Sequence, residues 1–261
     1  MNETEIETAL LALCEIARPQ TMSRFRMPID IDDKEADPGG FDPVTLADRG
    51  AEAAIREWLM RHYPTHGILG EEEAPVKPDA EWRWIIDPVD GTRAFISGLP
   101  TWGTLVGLMR DGEPVAGVMH QPFTDEIFLN AGGASKYLRG GVAAALKTSP
   151  IGALQQATAM TTSPDIFPDH EKPLWYKMLE ATRLVRYGCD CYAYAMLAAG
   201  HIEIVMESCL HVYDIAPLIP VIRGAGGIVT DWQGNPCNEG GRVLAAANKA
   251  IHEQAIELLN A

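Results

Sequence analysis

The stretch Trp84-Ile-Ile-Asp87-Pro-Val-Asp90-Gly-Thr92 drives an apolar run into two carboxylates spaced three residues apart. Pro88 fixes the turn between them, Gly91 lets the backbone come close to a ligand, and Thr92 adds a hydroxyl. A helix starting in residues 93–97 would set the amides of Gly91 and Thr92 at its positive end, a seat for phosphate. Carboxylates gathered around a phosphate repel it and one another, and a divalent cation removes that conflict by inverting the local charge. Taken alone, the same residues also describe an ordinary strand-to-helix turn, with Asp87 as N-cap and Asp90 on the surface.

Three further acidic places could join this one. Gly70-Glu71-Glu72-Glu73 closes the short apolar run 67–69, Asp48 stands in the first turn of a helix opened by Pro43-Val-Thr45, and Asp214 stands at a helix start in His211-Val-Tyr-Asp214-Ile-Ala-Pro217. Singly they read as a solvated face, a macrodipole partner and an N-cap. Their joint occurrence is much harder to obtain by chance.

Elements that could position these acids follow from periodicity. Ile6, Leu10, Leu13 and Ala17 give one face of a helix over residues 4–17, which Pro19 should stop. Leu46, Ala51, Ala54, Ile55, Trp58 and Leu59 give the buried stripe of a second helix, from Thr45. Residues 82–86 read as a strand ended by Asp87-Pro88, and 102–109, 115–120 and 126–129 as three strands of a meander with turn chemistry between them. Strand-like segments 184–187, 202–206 and 227–230 then alternate with helix-like segments 192–199, 214–223 and 251–259, which predicts an α/β layer. Gly140-Gly141 to Pro150 is the expected boundary, dividing residues 1–142 from 143–261. The Pro-, Gly- and Asp-rich residues 28–43 predict an acidic loop covering the cleft as a lid.

Composition narrows the function classes. The 261 residues carry a formal charge of −15 and no basic run, which argues against nucleic acid and anionic lipid as partners. No run approaches the ~18 unbroken apolar residues of a membrane helix, and the acidic N-terminus is unlike a secretory signal. A soluble, cytoplasmic protein is the expectation. Cys14, Cys189, Cys191, Cys209 and Cys237 are scattered and odd in number, so they read as reduced thiols and not as a disulfide frame or zinc site.

As a set, Pro43-Val-Thr-Leu-Ala-Asp48, Gly70-Glu71-Glu72, Asp87-Pro-Val-Asp-Gly-Thr92 and Asp214-Ile-Ala resemble, in order and spacing, the inositol-monophosphatase superfamily of magnesium-dependent phosphatases. The resemblance implies a layered αβαβα sandwich, with an α+β metal-binding part (1–142) and an α/β part (143–261) that completes the substrate pocket, a small phosphorylated metabolite as substrate and a homodimer. It implies that Glu71, Asp87 and the Val89 carbonyl hold one magnesium, that Asp87, Asp90 and Asp214 hold a second, and that a third, weaker ion binds near Glu71. It gives Asp48 and Thr92 the task of orienting and deprotonating the attacking water, with Glu71 beside them in the catalytic set. It assigns Asp90, Gly91, Thr92, Gly188, Cys189, Asp190, Glu207 and Asp214 to the substrate. All-oxygen donors suit magnesium.

Within that superfamily, Thr92-Arg-Ala-Phe95, Gly188-Cys-Asp190-Cys-Tyr192 and Phe41-Asp-Pro-Val-Thr45 resemble the histidinol-phosphate phosphatase branch. Asp190 and Glu207 would sit where the substrate alcohol is bound, and two carboxylates there favour a cationic alcohol such as histidinol over a neutral polyol. Inositol-1-phosphate, or a broad range of sugar and nucleotide phosphates, is the alternative. Aspartyl-phosphate phosphatases use Asp-x-Asp at i and i+2, whereas the acids here stand at i and i+3. A metal-bound regulatory relative is the non-enzymatic reading, opposed by the full set of ligand and water-activating positions. Tyr192 and Tyr194, two residues apart, cannot share one helix face.

Overall fold

A computed structural model describes residues 1–28, 31–33 and 43–261. Helices α1 (Glu3–Met22) and α2 (Leu46–His62) come first, with the antiparallel pair β1 (Ile31–Asp33) and β2 (Pro43–Thr45) between them. Next come β3 (Gly67–Gly70), β4 (Trp82–Asp90), α3 (Thr92–Ile96), β5 (Gly103–Arg110), β6 (Glu113–Gln121), β7 (Glu126–Asn130), β8 (Lys136–Arg139) and β9 (Val142–Ala145). These strands form one sheet in sequence order, β3 parallel to β4 and every later pair antiparallel. The remainder holds β10 (Thr158–Thr161), α4 (Lys172–Ala181), β11 (Leu184–Tyr187), α5 (Asp190–Ala198), β12 (Ile204–Leu210), α6 (Val212–Ile215), α7 (Leu218–Gly224), β13 (Ile228–Thr230), β14 (Gly241–Ala246) and α8 (Lys249–Asn260). Its sheet runs β11-β10-β12-β14-β13, parallel across the first three strands and antiparallel at β14.

The expected five-layer stack follows from strand alternation. In β5 and β6, Val106, Leu108, Ala116 and Val118 face Leu10, Leu13, Ile55 and Leu59 of α1 and α2, while Leu105 and Met119 face α5 and α7. In β12 and β14, Val205, Val243 and Ala245 meet the same α5–α7 layer, and Ile204, Met206, Leu244 and Ala246 meet Trp175, Ile251 and Leu259 of α4 and α8. Both sheets are therefore covered on both faces, which is why their strands read as nearly unbroken apolar runs.

Several boundaries differ from the sequence reading. Pro19 lies inside α1, which runs on to Met22: buried Thr21 and Phe25 hold the chain against the core, and Ser23 still donates to the Pro19 carbonyl at 3.3 Å. Leu46, placed in a buried stripe, is 57% exposed, while Glu52 and Arg56 of the same helix are buried. β4 continues through Pro88 to Asp90 because the register with β5 shifts there. Gly140-Gly141 is the turn of the β8–β9 hairpin, with φ of 55° and 77°, and the expected division at 142/143 falls inside that hairpin. Pro217 splits the single helix expected over 214–223 into α6 and α7. Most of the lid stretch 28–43 lies outside the described residues; of it, β1 pairs with β2. Among the described residues no helix is long and apolar enough to cross a membrane.

Gly107 and Gly117 pair across β5 and β6 and leave room for Pro217, whose Cα would lie 3.0 Å from a Cβ added at either. At Gly117 that Cβ would also run into the Pro217 carbonyl oxygen. Gly117→Ala should therefore destabilise the protein by about 2 kcal/mol or more, lowering its melting temperature by roughly 4–8 °C. Gly152→Ala, where the added carbon meets only the Ala250 Cβ at 3.7 Å, should shift it by no more than about 1 °C; differential scanning calorimetry of both variants checks this.

Candidate active site

The end of β4 is shaped from beneath. The Val89 side chain is fully buried among Phe25, Ala94, Phe95 and Trp102, and Asp87 Oδ1 accepts the Val89 amide at 3.0 Å, a local turn that aspartate favours. Thr104 Oγ1 on the neighbouring strand donates to the Pro88 carbonyl at 2.9 Å. Between Asp87 and Asp90 the β4–β5 register slips, and such a bulge re-aims the side chains around it. Gly91 follows with φ 86°; a Cβ there would meet the Asp190 Cβ and the Thr101 carbonyl, both at 3.1 Å. The position thus requires glycine twice over, for conformation and for space.

Asp214 arrives from α6, whose third residue it is, with Oδ2 accepting the His211 amide at 2.7 Å. One carboxylate oxygen from each of Asp87, Asp90 and Asp214 lies within 4.8 Å of the others. Glu71, just after β3, lines the same cavity, which has a volume of about 470 Å³, as do Val89, Gly91 and Thr92. Asp48 stands behind this wall: its Oδ2 accepts the Thr45 amide (2.9 Å) and hydroxyl (2.6 Å), and its Oδ1 lies 3.4 Å from Thr92 Oγ1. The Thr92 hydroxyl lies 3.0 Å from the Val89 carbonyl, to which it donates.

Of the residues expected to hold the substrate alcohol, Asp190 and Glu207 line the cavity, whereas Gly188 and Cys189 do not. The Gly188 carbonyl instead takes a hydrogen bond from Thr101 Oγ1 at 3.0 Å, and its amide donates to Thr162 at 2.9 Å. Asp190 opens α5 with φ 42°. The next amide, of Cys191, donates to Asp90 Oδ1 at 2.9 Å. Glu207 is buried and already engaged by the Thr162 amide (2.8 Å), the Thr162 hydroxyl (2.6 Å) and Tyr194 OH (2.9 Å). Tyr192 and Tyr194 leave α5 in different directions, Tyr192 OH donating to Glu126 at 2.7 Å. Glu207 is therefore largely spent on protein donors, and Asp190 is the carboxylate more available to a ligand.

Sequence reasoning missed the facing wall. Thr162, Ser163, Asp165, Ile166, Phe167 and Pro168 line the cavity with no motif to announce them. Ser208 and Cys209 reach it through a second register shift, between Glu207 and Leu210 of β12. The positive φ of Cys209, 63°, belongs to that irregularity. Arg93, the residue after Thr92, is the single basic side chain among the described residues lining the cavity.

So many buried acids disturb one another. Burial, then the charges of Glu71, Asp90 and Asp214, push Asp87 well above the carboxylate range. Asp90 is raised by burial and then by Asp214 and Asp190, against the Cys191 amide. Asp214 is pushed up to about 8, chiefly by burial, with the His211 amide opposing. Asp48 rises to about 6 through burial, held back by its bonds from Thr45. Asp190 rises to about 7 through burial and the Glu207 charge, against Thr162 and Arg93. Burial leads each of these shifts and, for Asp87, Asp90, Asp190 and Asp214, neighbouring acids add to it. A donor set made of carboxylate oxygens plus the Val89 carbonyl fits a hard divalent cation such as magnesium.

A model of the inositol monophosphatase family matches residues 2–261. The chain is 36% identical to the chloroplastic bifunctional phosphatase IMPL2 of Arabidopsis thaliana, over 99% of this chain and 77% of that one. It is 31% identical to a histidinol-phosphatase of Chlorobaculum parvum, over 94% and 93%. Among solved structures, an inositol monophosphatase from Zymomonas mobilis superposes with a TM-score of 0.87 at 36% identity, covering 99% of this chain and 98% of that one.

The raised acids predict a pH dependence. Folded Asp190 and Asp214, at about 7 and about 8, keep protons that an unfolded chain releases near pH 4. The folded state therefore binds more protons in this range, and stability falls as pH rises through it. Burial shifts His120 the opposite way, to about 4, so the clean window lies above the ordinary histidine pKa of about 6.5. In chelator, the melting temperature should fall between about pH 6.5 and 8.5, and magnesium should raise it more at the upper end; thermal melts at both pH values test this.

Proposed function

The chain belongs to the inositol monophosphatase family of phosphate-monoester phosphatases, and on that premise we propose that it hydrolyses L-histidinol phosphate to L-histidinol and phosphate with magnesium as cofactor. One observation carries the reading: the meeting of Asp87, Asp90 and Asp214 within 4.8 Å, in a cavity where Asp190 adjoins them. The first group answers a phosphate through a cation. The second answers a positively charged alcohol, as the ammonium and imidazole of histidinol provide. Inositol phosphate, a neutral polyol on its alcohol side, brings no positive charge to Asp190.

In this reading Glu71, Asp87 and the Val89 carbonyl hold one magnesium ion, Asp87, Asp90 and Asp214 hold another, and a third, weaker ion binds near Glu71. Bound there, magnesium supplies Lewis-acid polarisation of the phosphoryl oxygens and acidifies water. Asp48, raised to about 6, is a base matched to neutral pH. Its Oδ1 lies 3.4 Å from Thr92 Oγ1, whose one proton points to the Val89 carbonyl at 3.0 Å. Turned from that carbonyl to Asp48, the hydroxyl can take a proton from the attacking water while passing its own to the carboxylate. Gly91 brings backbone close to the phosphate without side-chain bulk. A homodimer belongs to the same reading and rests on the family resemblance, and light scattering tests it; cytoplasmic residence rests on the composition and the scattered free cysteines.

Asp87→Asn should lower kcat by more than about 10²-fold while leaving the circular dichroism spectrum unchanged, since it removes the ligand shared by both ions; retained turnover overturns the ligand set. Asp190→Ala should raise KM for histidinol phosphate by about 10–100-fold, the worth of a charge-assisted hydrogen bond, and much less for inositol-1-phosphate. Equal effects remove the argument for a cationic alcohol. The wild-type ratio of kcat/KM for histidinol phosphate against inositol, fructose and nucleotide phosphates should favour the first, and a reversed order assigns the site to that other substrate.

A further inference from the structure

The ion pair Glu52–Arg56 lies inside the protein, its side chains 0% and 4% exposed, yet it touches neither the cavity nor a ligand position. We propose that this pair is a positioning clamp that sets Glu71, and through it the affinity of the site for its divalent cation. The proposal rests on the reading of Glu71 as a metal ligand.

The clamp is built on one turn of α2. Arg56 Nε donates to Glu52 Oε1 at 2.7 Å. The two oxygens of Glu52 also accept the Glu72 amide at 2.8 Å and the Glu73 amide at 3.0 Å. The fork of Arg56 closes the other side, donating to the carbonyls of Glu73 at 2.8 Å and Ala74 at 3.1 Å. The segment that follows β3 is thus gripped on its amides by a carboxylate and on its carbonyls by a guanidinium. Gly70 completes the fit, because a Cβ at that position would run into the Glu52 carboxylate, with Oε2 only 2.6 Å away. Glu71 stands between this glycine and the two gripped amides, so its backbone has little freedom to move.

Two charges taken from water are costly, and what the pair gains in return is directional: it meets two amides and two carbonyls of one short segment, which an apolar pair at the same helix positions would leave without partners. A planar, five-donor fork is suited to fixing geometry, and an acid that must face several neighbouring acids needs its backbone held against their repulsion. Groups that hold metal ligands in place, without touching the metal, commonly change metal affinity by about 10–100-fold when removed.

The test uses Mn²⁺ as a paramagnetic stand-in for Mg²⁺, with free ion counted by electron paramagnetic resonance. Glu71→Gln is the reference variant, and Glu52→Gln and Arg56→Lys are the clamp variants. Expected is a loss of Mn²⁺ affinity of about 10–100-fold in Glu52→Gln, with faster amide hydrogen exchange over residues 70–75. Arg56→Lys, which keeps the charge but not the fork, should lose less affinity; it also serves as the deciding variant should Glu52→Gln not fold. Wild-type Mn²⁺ affinity in folded clamp variants, when Glu71→Gln has lost it, overturns the clamp and spares the ligand. Wild-type affinity in Glu71→Gln itself overturns the ligand reading, and the clamp with it.

Discussion

The structure depends on holding like charges together. Asp87, Asp90 and Asp214 are brought within 4.8 Å of one another, with Glu71, Asp190 and Glu207 in the same cavity. Left to themselves, these acids repel, and burial makes the repulsion worse by removing the water that would screen it. What keeps them there is backbone. Amides from Val89, Cys191 and His211 each donate to one of the three, so each is anchored by its own dipole and leaves remaining oxygen lone pairs for the cavity. The cost of gathering the acids is spread over the surrounding layers.

Those layers deliver the acids by the same device on both sides. A regular strand alternates its side chains and cannot turn two neighbouring acids to one point. In β4 the slip of register between Asp87 and Asp90 breaks the alternation, and in β12 the slip between Glu207 and Leu210 does the same. Each sheet therefore ends in a distorted strand aimed at the cavity. The undistorted parts of the strands are buried on both faces, which gives the distortions rigid ground to stand on.

Legibility in the sequence followed the range of the interactions. The turn from Asp87 to Thr92 is local, so its proline, glycine and acids could be read from the letters; alternation of strands and helices gave an α/β layer, and the full layer order came only with the family resemblance. Glu52 and Arg56 were invisible because a buried stripe is sought among apolar residues, and theirs is a charged pair whose partners lie 17 to 21 residues away. Gly140-Gly141 opens the stretch expected as a boundary, and the pairing of Arg139 with Val142 makes the pair a hairpin turn, while the seven-stranded sheet ends at Ala145, before Pro150. Pro19 failed to end α1 because tertiary contacts of Thr21 and Phe25 outweigh one missing amide. The wall from Thr162 to Pro168 reaches the cavity only through folding of the whole chain, and no local pattern encodes it.

In the proposed reading, the bond from the Cys191 amide to Asp90 ties recognition to chemistry: Asp190, one residue earlier, would meet the part of a ligand that differs between substrates, and Asp90 the part they share. Tyr192 pins the same turn of α5 to Glu126, so the helix start cannot give way to accommodate an ill-fitting alcohol without pulling on Asp90. Discrimination in such an arrangement is exercised during turnover as well as on docking: a poorly matched compound can enter and still find the reacting end out of alignment.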